Sequence, residues 1–364
     1  MTRCKKIGIL TLPLAYNYGG ILQASALYRF LEDNGFEPLL LLREPESAWY
    51  KRLGRRVAGM VPFFDYKGHR AEARQKSMHV PFIAKTMPNR TGPLRTKSDL
   101  QTSVRRHGLD AVIVGSDQVW RPVYHKDSAP LRYWLDFVDP TRTRRIAYAA
   151  SFGREDWNRP DLDPAITKLM AQFHAVSVRE ASGARICADH FGYGDAAVTA
   201  DPTILVDPSF HTQHARSPAA VGGTLLNYVL DRGPDDITLI NGLAGRLDGV
   251  QRTTDLGLGQ QRETADQWMG NFQNADYVYT DSFHGTVFSI LFNRPFVAKC
   301  NRARGSDRFV NLLGQLDLRD RLVYEPDLDR VTELLRTPID YASVNDKVAQ
   351  LREKSKQILL DALS

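Results

Sequence analysis

Cysteine is scarce in this chain, and its scarcity excludes two classes at once. Cys4, Cys187 and Cys300 are odd in number and lack ligand spacing, so neither a disulfide framework nor a zinc site is expected. The nine histidines form no HxxxH or paired-carboxylate pattern, and no protein-bound structural metal is expected. No apolar run approaches the ~20 residues that cross a bilayer. The start, MTRCKK followed by IGILTLPLA, has the basic leader and short apolar run of a signal peptide, but it continues into YNYGG without a small-residue cleavage site. It therefore reads as a first strand, and a cytoplasmic protein is expected. The 26 Gly and 19 Pro are scattered, with no repeat and no low-complexity tract.

What is present is apolar mass and an uneven charge. A chain of 364 residues with 43% hydrophobic content exceeds one ordinary core and predicts two domains. The net charge of +6 is concentrated: residues 43–106 carry fifteen Lys or Arg against five acids. Such a segment marks a nucleic acid, an anionic membrane surface, a polyanionic substrate, or a solvated face with no partner. No helix-turn-helix, zinc-finger or aromatic RNA-binding signature accompanies it, so no nucleic-acid partner is expected.

Hydrophobic periodicity orders the rest. Strand Lys6–Leu12, a turn at Asn17–Gly20, helix Ile21–Asn34 stopped by Gly35 and strand Glu37–Leu42 make a parallel β-α-β unit. Residues 43–106 are irregular and basic, with helices expected near 67–78 and 98–107. Strands at Ala111–Val114, Ile146–Ala150, Ala175–Val178 and Ala197–Thr199 follow, with helices near 163–173 and at Glu180–His190. The two Asp-Pro steps of Asp201–Ser209 look like the exit from this domain, and His211–Gly223 suits a linker. A second block then alternates strands Leu225–Leu230, Ile237–Ile240, Tyr277–Thr280 and Phe296–Lys299 with helices Thr264–Asn274, Gly285–Asn293 and Arg308–Leu316. An amphipathic helix near Ser343–Leu363 closes the sequence. The expected fold is α/β, with two doubly wound Rossmann-like domains at 1–210 (containing the basic insertion 43–106) and 211–340, and a C-terminal helix at 341–364 packing back on the first. Two such domains facing across a cleft resemble the GT-B arrangement of glycosyltransferases, with the ligand at the carboxyl ends of both sheets.

Four polar clusters fall at predicted strand ends. Asp281-Ser282-Phe283-His284-Gly285 sits where a buried strand hands over to a helix, so unsatisfied N–H groups and the positive helix end would face whatever His284 faces. A phosphate or carboxylate fits there; a plain helix cap is the alternative. Asn17-Tyr18-Gly19-Gly20 allows close backbone approach to a ligand. Gly115-Ser116-Asp117-Gln118-Val119-Trp120 makes a sugar-binding edge with Asp117 as a general base, unless Asp117 caps a following helix. Arg179, in Val178-Arg179-Glu180, offers a planar fork for a carboxylate or phosphate, or else pairs with Glu180 or Asp201. Lys299, Arg302, Arg304 and Arg308 lie downstream of His284, and Arg308 at a helix start can turn into the same cleft.

Six ordered motifs, YNYGGILQASAL, VIVGSDQVW, RRIAYAASFG, SVREASG, ADPTILVDPS and NADYVYTDSFHGTVFSILFNRPFV, with SDRFVNLLGQLDL downstream, resemble the polysaccharide pyruvyl transferase family. The resemblance implies a phosphoenolpyruvate-dependent transferase in exopolysaccharide or cell-surface glycan synthesis. Such an enzyme moves pyruvate onto two sugar hydroxyls as a cyclic ketal and releases phosphate. It implies no tightly bound cofactor. His284 matches the family's active-site histidine and Arg179 its donor-binding arginine. His284 is then assigned to phosphate contact or general-acid work and Asp117 to the acceptor-side base. Relatives place an arginine two residues before the histidine, where Ser282 stands here. Donor contacts are therefore expected from Arg179, Ser282, His284, Gly285, Lys299, Arg304 and Arg308, and acceptor contacts from Asn17, Tyr18, Gly19, Ser116, Asp117, Gln118 and Trp120. The acceptor would be a saccharide, carried in many members on a lipid diphosphate at the inner membrane face, where the basic segment would hold the enzyme against anionic lipid. The rival readings are a nucleotide-sugar glycosyltransferase using the same cleft and a non-catalytic polyanion-binding protein.

Overall fold

Four of the five residues of Lys6–Leu10 (β1) and all four of Ala111–Val114 (β3) are buried, as strands covered on both faces by helices must be. The computed structural model describes residues 4–15, 17–44, 77–122, 131–216, 222–256, 263–300 and 305–364. Nearly all of the helix expected near 67–78 and half of the basic segment lie outside these residues. Within them, β1 and β3 join Glu37–Leu40 (β2), Arg144–Ala150 (β4), Ala175–Val178 (β5) and Ala197–Val198 (β6) in a parallel sheet of order β2-β1-β3-β4-β5-β6. A second parallel sheet, of order β11-β10-β9-β7-β8, holds Thr224–Tyr228 (β7), Arg252–Asp255 (β8), Tyr277–Thr280 (β9), Phe296–Lys299 (β10) and Leu322–Val323 (β11). Helices cross between successive strands in both, which makes the fold α/β with two doubly wound sheets.

The segment 237–240 corrects the sequence reading, because it is helix rather than strand. Gly233 precedes Pro234-Asp235-Asp236, and the Asp236 carboxylate accepts the Gly233 N–H at 2.9 Å, the start signal of helix Pro234–Arg246. Leu239, Ile240 and Leu243 then fall on one buried helical face while Ile237 is exposed. The true partner of β7 is β8, whose Arg-Thr-Thr-Asp sequence is a polar edge strand with no apolar signal. Part of the expected linker is likewise helical, at Pro208–His214, with Asp207 as its N-cap.

Each sheet has an apolar cluster of its own, and the two share a third. One apolar cluster runs from Ile7, Tyr18 and Leu27 of the first to Trp268, Phe272 and Phe288 of the second, and on to Leu359 and Leu363. The Tyr18 ring stacks on Trp268 at 5.5 Å, and its hydroxyl donates to Glu263 O at 3.0 Å. Helix Tyr341–Leu363 returns to the first sheet. Ser355 Oγ accepts the Ala200 N–H at 3.0 Å, Arg352 Nε donates to Ile204 O at 2.7 Å, and Lys5 Nζ reaches Leu363 O at 2.5 Å.

A second seam joins the halves near Arg179. Helix Ala181–Phe191 receives no capping bond from the side chain of Glu180, its own N-cap residue. The Asp307 carboxylate of helix Asp307–Gln315 instead accepts the Ser182 N–H at 3.0 Å. Asn311 Nδ2 donates to Arg179 O at 3.1 Å, and Ser306 Oγ donates to Glu155 Oε1 at 2.6 Å.

His211 lies in the shared core, 1% exposed, with Nε2 donating to Thr203 O at 2.8 Å and the ring edge-on to Phe288. Burial is the largest influence on its imidazole and lowers its pKa to about 4, below the ~6.5 of an unfolded histidine. The unfolded chain therefore binds the extra proton first. Stability is full above about pH 6.5 and falls by up to about 1.4 kcal/mol per pH unit down to about pH 4. Urea titrations across that window are expected to show this slope, and His211→Gln to remove it.

Candidate active site

Each sheet reverses its winding direction once, and the two reversal points carry the polar clusters. In the first sheet β1 leads to β2 on one side and β3 opens the other, so Asn17 and Gly19 after β1 and Asp117 after β3 flank the switch. In the second the switch lies between β7 and β9, and Ser282 and His284 follow β9. Ligands of open parallel sheets sit outside the carboxyl ends of the strands at such points. Here the two points touch.

Gly19 makes the contact possible. A Cβ at this position would lie 1.9 Å from His284 Nδ1, so only hydrogen admits the ring against the N-terminus of helix Tyr18–Asp33. The other ring nitrogen, Nε2, stands 3.5 Å from Asp201 Oδ2, within ion-pair reach but at the limit of a hydrogen bond. His284 is thus fixed between two elements of the first domain while belonging to the second. It lies in the first turn of helix Phe283–Leu291, which begins two residues before the Gly285 expected from the sequence. Ser282 is that helix's N-cap and accepts the Gly285 N–H at 3.3 Å.

Asp201 is the hub of a buried charge network that the sequence reading missed as a site residue. Arg179 Nη1 donates to Asp201 Oδ2 at 2.7 Å and Nη2 reaches Asp117 Oδ1 at 3.3 Å, with the side chains of Arg179 and Asp201 2% and 0% exposed. Asp201 Oδ1 accepts the Thr203 N–H and Oγ1–H, capping the short helix Pro202–Leu205. Asn17 Nδ2 donates to Asp117 Oδ2 at 2.6 Å. Burial opposes ionisation of Asp117, but Arg179, His284 and Arg308 outweigh it and hold the carboxyl below the usual range. Burial opposes ionisation of Asp201 too, and His284 and Arg179 override it more strongly. The Arg179 guanidinium faces the same burial, and Asp201 and Asp117 hold it in its charged form. Asp117 caps no helix; its backbone sits at φ +70°, sparsely populated for a non-glycine residue. A carboxylate held this low is a weak proton acceptor and a strong source of negative field.

Arg308 approaches from the second domain. Its guanidinium lies 5.4 Å from the centroid of the Phe283 ring, and that of Arg179 lies 4.6 Å from the same ring. The π face of one ring thus attracts both cations.

Several residues expected in the site have other work. Trp120 is fully buried, stacked on Trp134 at 4.4 Å, with Nε1–H donating to Tyr133 O at 2.9 Å, so it offers no face to a sugar. Tyr18 is held in the seam described above. Ser116 is fully buried, its N–H donating to Gln23 Oε1 at 2.8 Å and its hydroxyl to Ala149 O at 2.8 Å. Gln118 accepts from Arg121 at 2.9 Å and packs against Gly153. Lys299 pairs with Asp236 at 2.6 Å, and a Cβ on Gly285 would meet Thr280 Oγ1 at 2.4 Å, so that glycine serves close packing. Arg302 and Arg304 lie outside the described residues. Among those described, no three His, Cys, Asp or Glu side chains group as a metal site, and no helix is long and apolar enough to cross a membrane.

His284 and Arg308 thus both bear on the Asp117 carboxylate, His284 from the first turn of helix Phe283–Leu291, and cations near a helix N-terminus are the chemistry an anion needs. Two structures resemble the whole chain in architecture. UDP-N-acetylglucosamine 2-epimerase from Rickettsia bellii matches with a TM-score of 0.51 and 11% identity over 99% of this chain and 97% of that one. The N-terminal domain of trehalose-6-phosphate phosphatase from Candida albicans matches with a TM-score of 0.51 and 11% identity over 100% and 97%. At this identity the likeness establishes the two-domain, GT-B-like fold alone. No curated protein matches the sequence significantly. The polysaccharide pyruvyl transferase family model, however, matches residues 17–299, a span that contains Asn17, Gly19, Asp117, Arg179, Asp201 and His284. The chain belongs to the polysaccharide pyruvyl transferase family.

Proposed function

We propose that the protein transfers pyruvate from phosphoenolpyruvate to two hydroxyls of a saccharide, forming a cyclic ketal of a surface-glycan precursor and releasing phosphate. The observation that carries this reading is the convergence of His284 and Arg308 with the Asp117–Arg179–Asp201 network where the two switch points meet. The donor carries a phosphate and a carboxylate, and both need fixed positive partners. The reaction also passes through a carbon that becomes positive when the enol phosphate is protonated. A carboxylate held ionised, as Asp117 is, stabilises such a centre.

In this scheme His284 and Arg308 grip the donor's phosphate, and Arg179 acts as counter-ion to Asp117 and Asp201. Protonation of the methylene carbon makes the central carbon electrophilic, and the first sugar hydroxyl adds to it. His284 gives a proton to the bridging oxygen as phosphate departs. The second hydroxyl closes the ketal. Two protons are delivered and the two hydroxyl protons replace them, so the enzyme ends as it began. The excess of Lys and Arg in 43–106 suits an acceptor carried on a lipid diphosphate at an anionic cytoplasmic face.

Incubation with phosphoenolpyruvate and a panel of aryl glycosides is expected to release phosphate and give a product heavier by one pyruvyl ketal. His284→Asn is expected to lower that turnover by about 10²-fold or more. Turnover with nucleotide sugars and none with phosphoenolpyruvate would sink the proposal.

A further inference from the structure

Glu180 is a buried acid that the scheme above does not use. It follows Arg179 at the carboxyl end of β5 and is 1% exposed. Its Oε1 accepts two hydrogen bonds, from Ser151 Oγ at 2.8 Å and from the Phe152 N–H at 3.0 Å. Its Oε2 is buried and has no hydrogen-bond partner. This asymmetry places a proton: an oxygen that accepts from two donors cannot also carry one, so a neutral carboxyl must hold its hydrogen on Oε2. Among the described residues that hydrogen has no acceptor.

Burial favours the neutral form of the carboxyl against the pull of the charges around it. Arg179 and Arg308 face Glu180, and Cys187 is the other titratable group against it. Arg179 is already forked between Asp117 and Asp201. Burial raises the Glu180 carboxyl above the usual range although both arginines and the Ser151 and Phe152 donors pull the other way. Asp117, in the field of the same Arg179, is held below it. A pair of carboxyls driven in opposite directions at one site is the pattern that separates a proton donor from an electrostatic partner.

We propose that Glu180 is the acid that protonates the methylene carbon of the enolpyruvyl donor, a role that rests on the pyruvyl-transfer reading above. The C=C π pair takes the proton from Oε2 and forms the new methyl C–H bond. The O–H electrons stay on Oε2 as carboxylate, and the central carbon becomes the cation that the first sugar hydroxyl attacks. Glu180 carboxylate then takes back one hydroxyl proton. The other restores the proton that His284 gave to the leaving phosphate.

The test compares wild type, Glu180→Gln and Glu180→Asp, with phosphoenolpyruvate and an acceptor that turns over, in D2O. Wild type is expected to place one deuterium in the product methyl and to lose rate as pH rises through an alkaline limb. Glutamine keeps the oxygen that Ser151 and Phe152 bond but has no acidic proton. Glu180→Gln is expected to lower kcat by about 10²–10⁴-fold, to lose the alkaline limb, and to keep the donor-induced rise in Tm. A folded Glu180→Gln within about threefold of wild type, with the same pH profile, would overturn the assignment. Should Glu180→Gln fail to fold, Glu180→Asp decides. An aspartate retaining deuterium incorporation with a displaced alkaline limb supports the role, and a limb coinciding with that of wild type overturns it. Absence of phosphate release by wild type with every acceptor would instead be the failure of the pyruvyl-transfer reading.

Discussion

Asp201→Ala is expected to destabilise the protein by about 3–5 kcal/mol, the effect of removing one partner from a buried ion pair. The carboxylate is fully buried, so solvent does not screen what it holds. Its loss strips Arg179 Nη1 of its 2.7 Å acceptor and leaves a guanidinium only 2% exposed to rely on Asp117 at 3.3 Å. It also removes the cap of helix Pro202–Leu205, to which Thr203 donates twice, a contribution of about 1 kcal/mol. The measurement is equilibrium urea denaturation of the two proteins at neutral pH. Arg179→Met added to Asp201→Ala should restore part of the loss, because the stranded cation is then gone. A decrease below about 1 kcal/mol for the single variant would show that Asp117 alone neutralises Arg179.

Gly19→Ala is expected to lower turnover by about 10²-fold, the size of effect that a displacement of about 1 Å in a reacting group produces. The new methyl would sit 1.9 Å from His284 Nδ1, far inside contact distance. The ring has little room to retreat, since Asp201 stands at its far nitrogen and Phe283 edge-on beside it at 5.5 Å. The accompanying loss of stability should be no more than the about 1–3 kcal/mol of an overpacked site. Steady-state kinetics and Tm on the same preparation separate the two quantities. Turnover within about threefold of wild type would mean that His284 reacts from another position than the one it occupies against helix Tyr18–Asp33.

The alternation of strands and helices is legible because β1, β3 and β9 are short, largely apolar runs, β3 ended by Gly115 and β9 by Asp281, and a doubly wound sheet buries such runs. The edge strand β8 is not, because Arg252-Thr253-Thr254-Asp255 has no apolar residue and is held by its backbone pairing with β7 and by polar side-chain bonds such as Arg252 to Thr224. Ile237–Ile240 misleads for the opposite reason: four residues do not distinguish a period of 2 from one of 3.6 until Pro234 and Asp236 are given weight. The site divides along similar lines. Gly19, Asp117, Arg179 and His284 stand at strand ends, and sequence position alone brings them to one edge. Which way an aromatic side chain points is another matter, and Tyr18 and Trp120 turned inward to Trp268 and Trp134. Asp201 was hidden by its setting, since an Asp-Pro step reads first as a chain exit. Its signal was the apolar company of Ala200, Ile204 and Leu205, which told that the carboxylate is buried and so in need of a cation.

The seam at Asp307 has a thermodynamic consequence for how the two halves move. The N-terminus of helix Ala181–Phe191 borrows its cap from the opposite domain, and Asn311 and Ser306 hold the same line. Separating the halves therefore leaves that helix end uncapped, a penalty of about 1 kcal/mol for the cap alone. The resting enzyme is accordingly biased toward closure before any substrate arrives. Fraying of the first turn after Arg179 and Glu180 and loosening of the domain contact are therefore coupled, each making the other less costly.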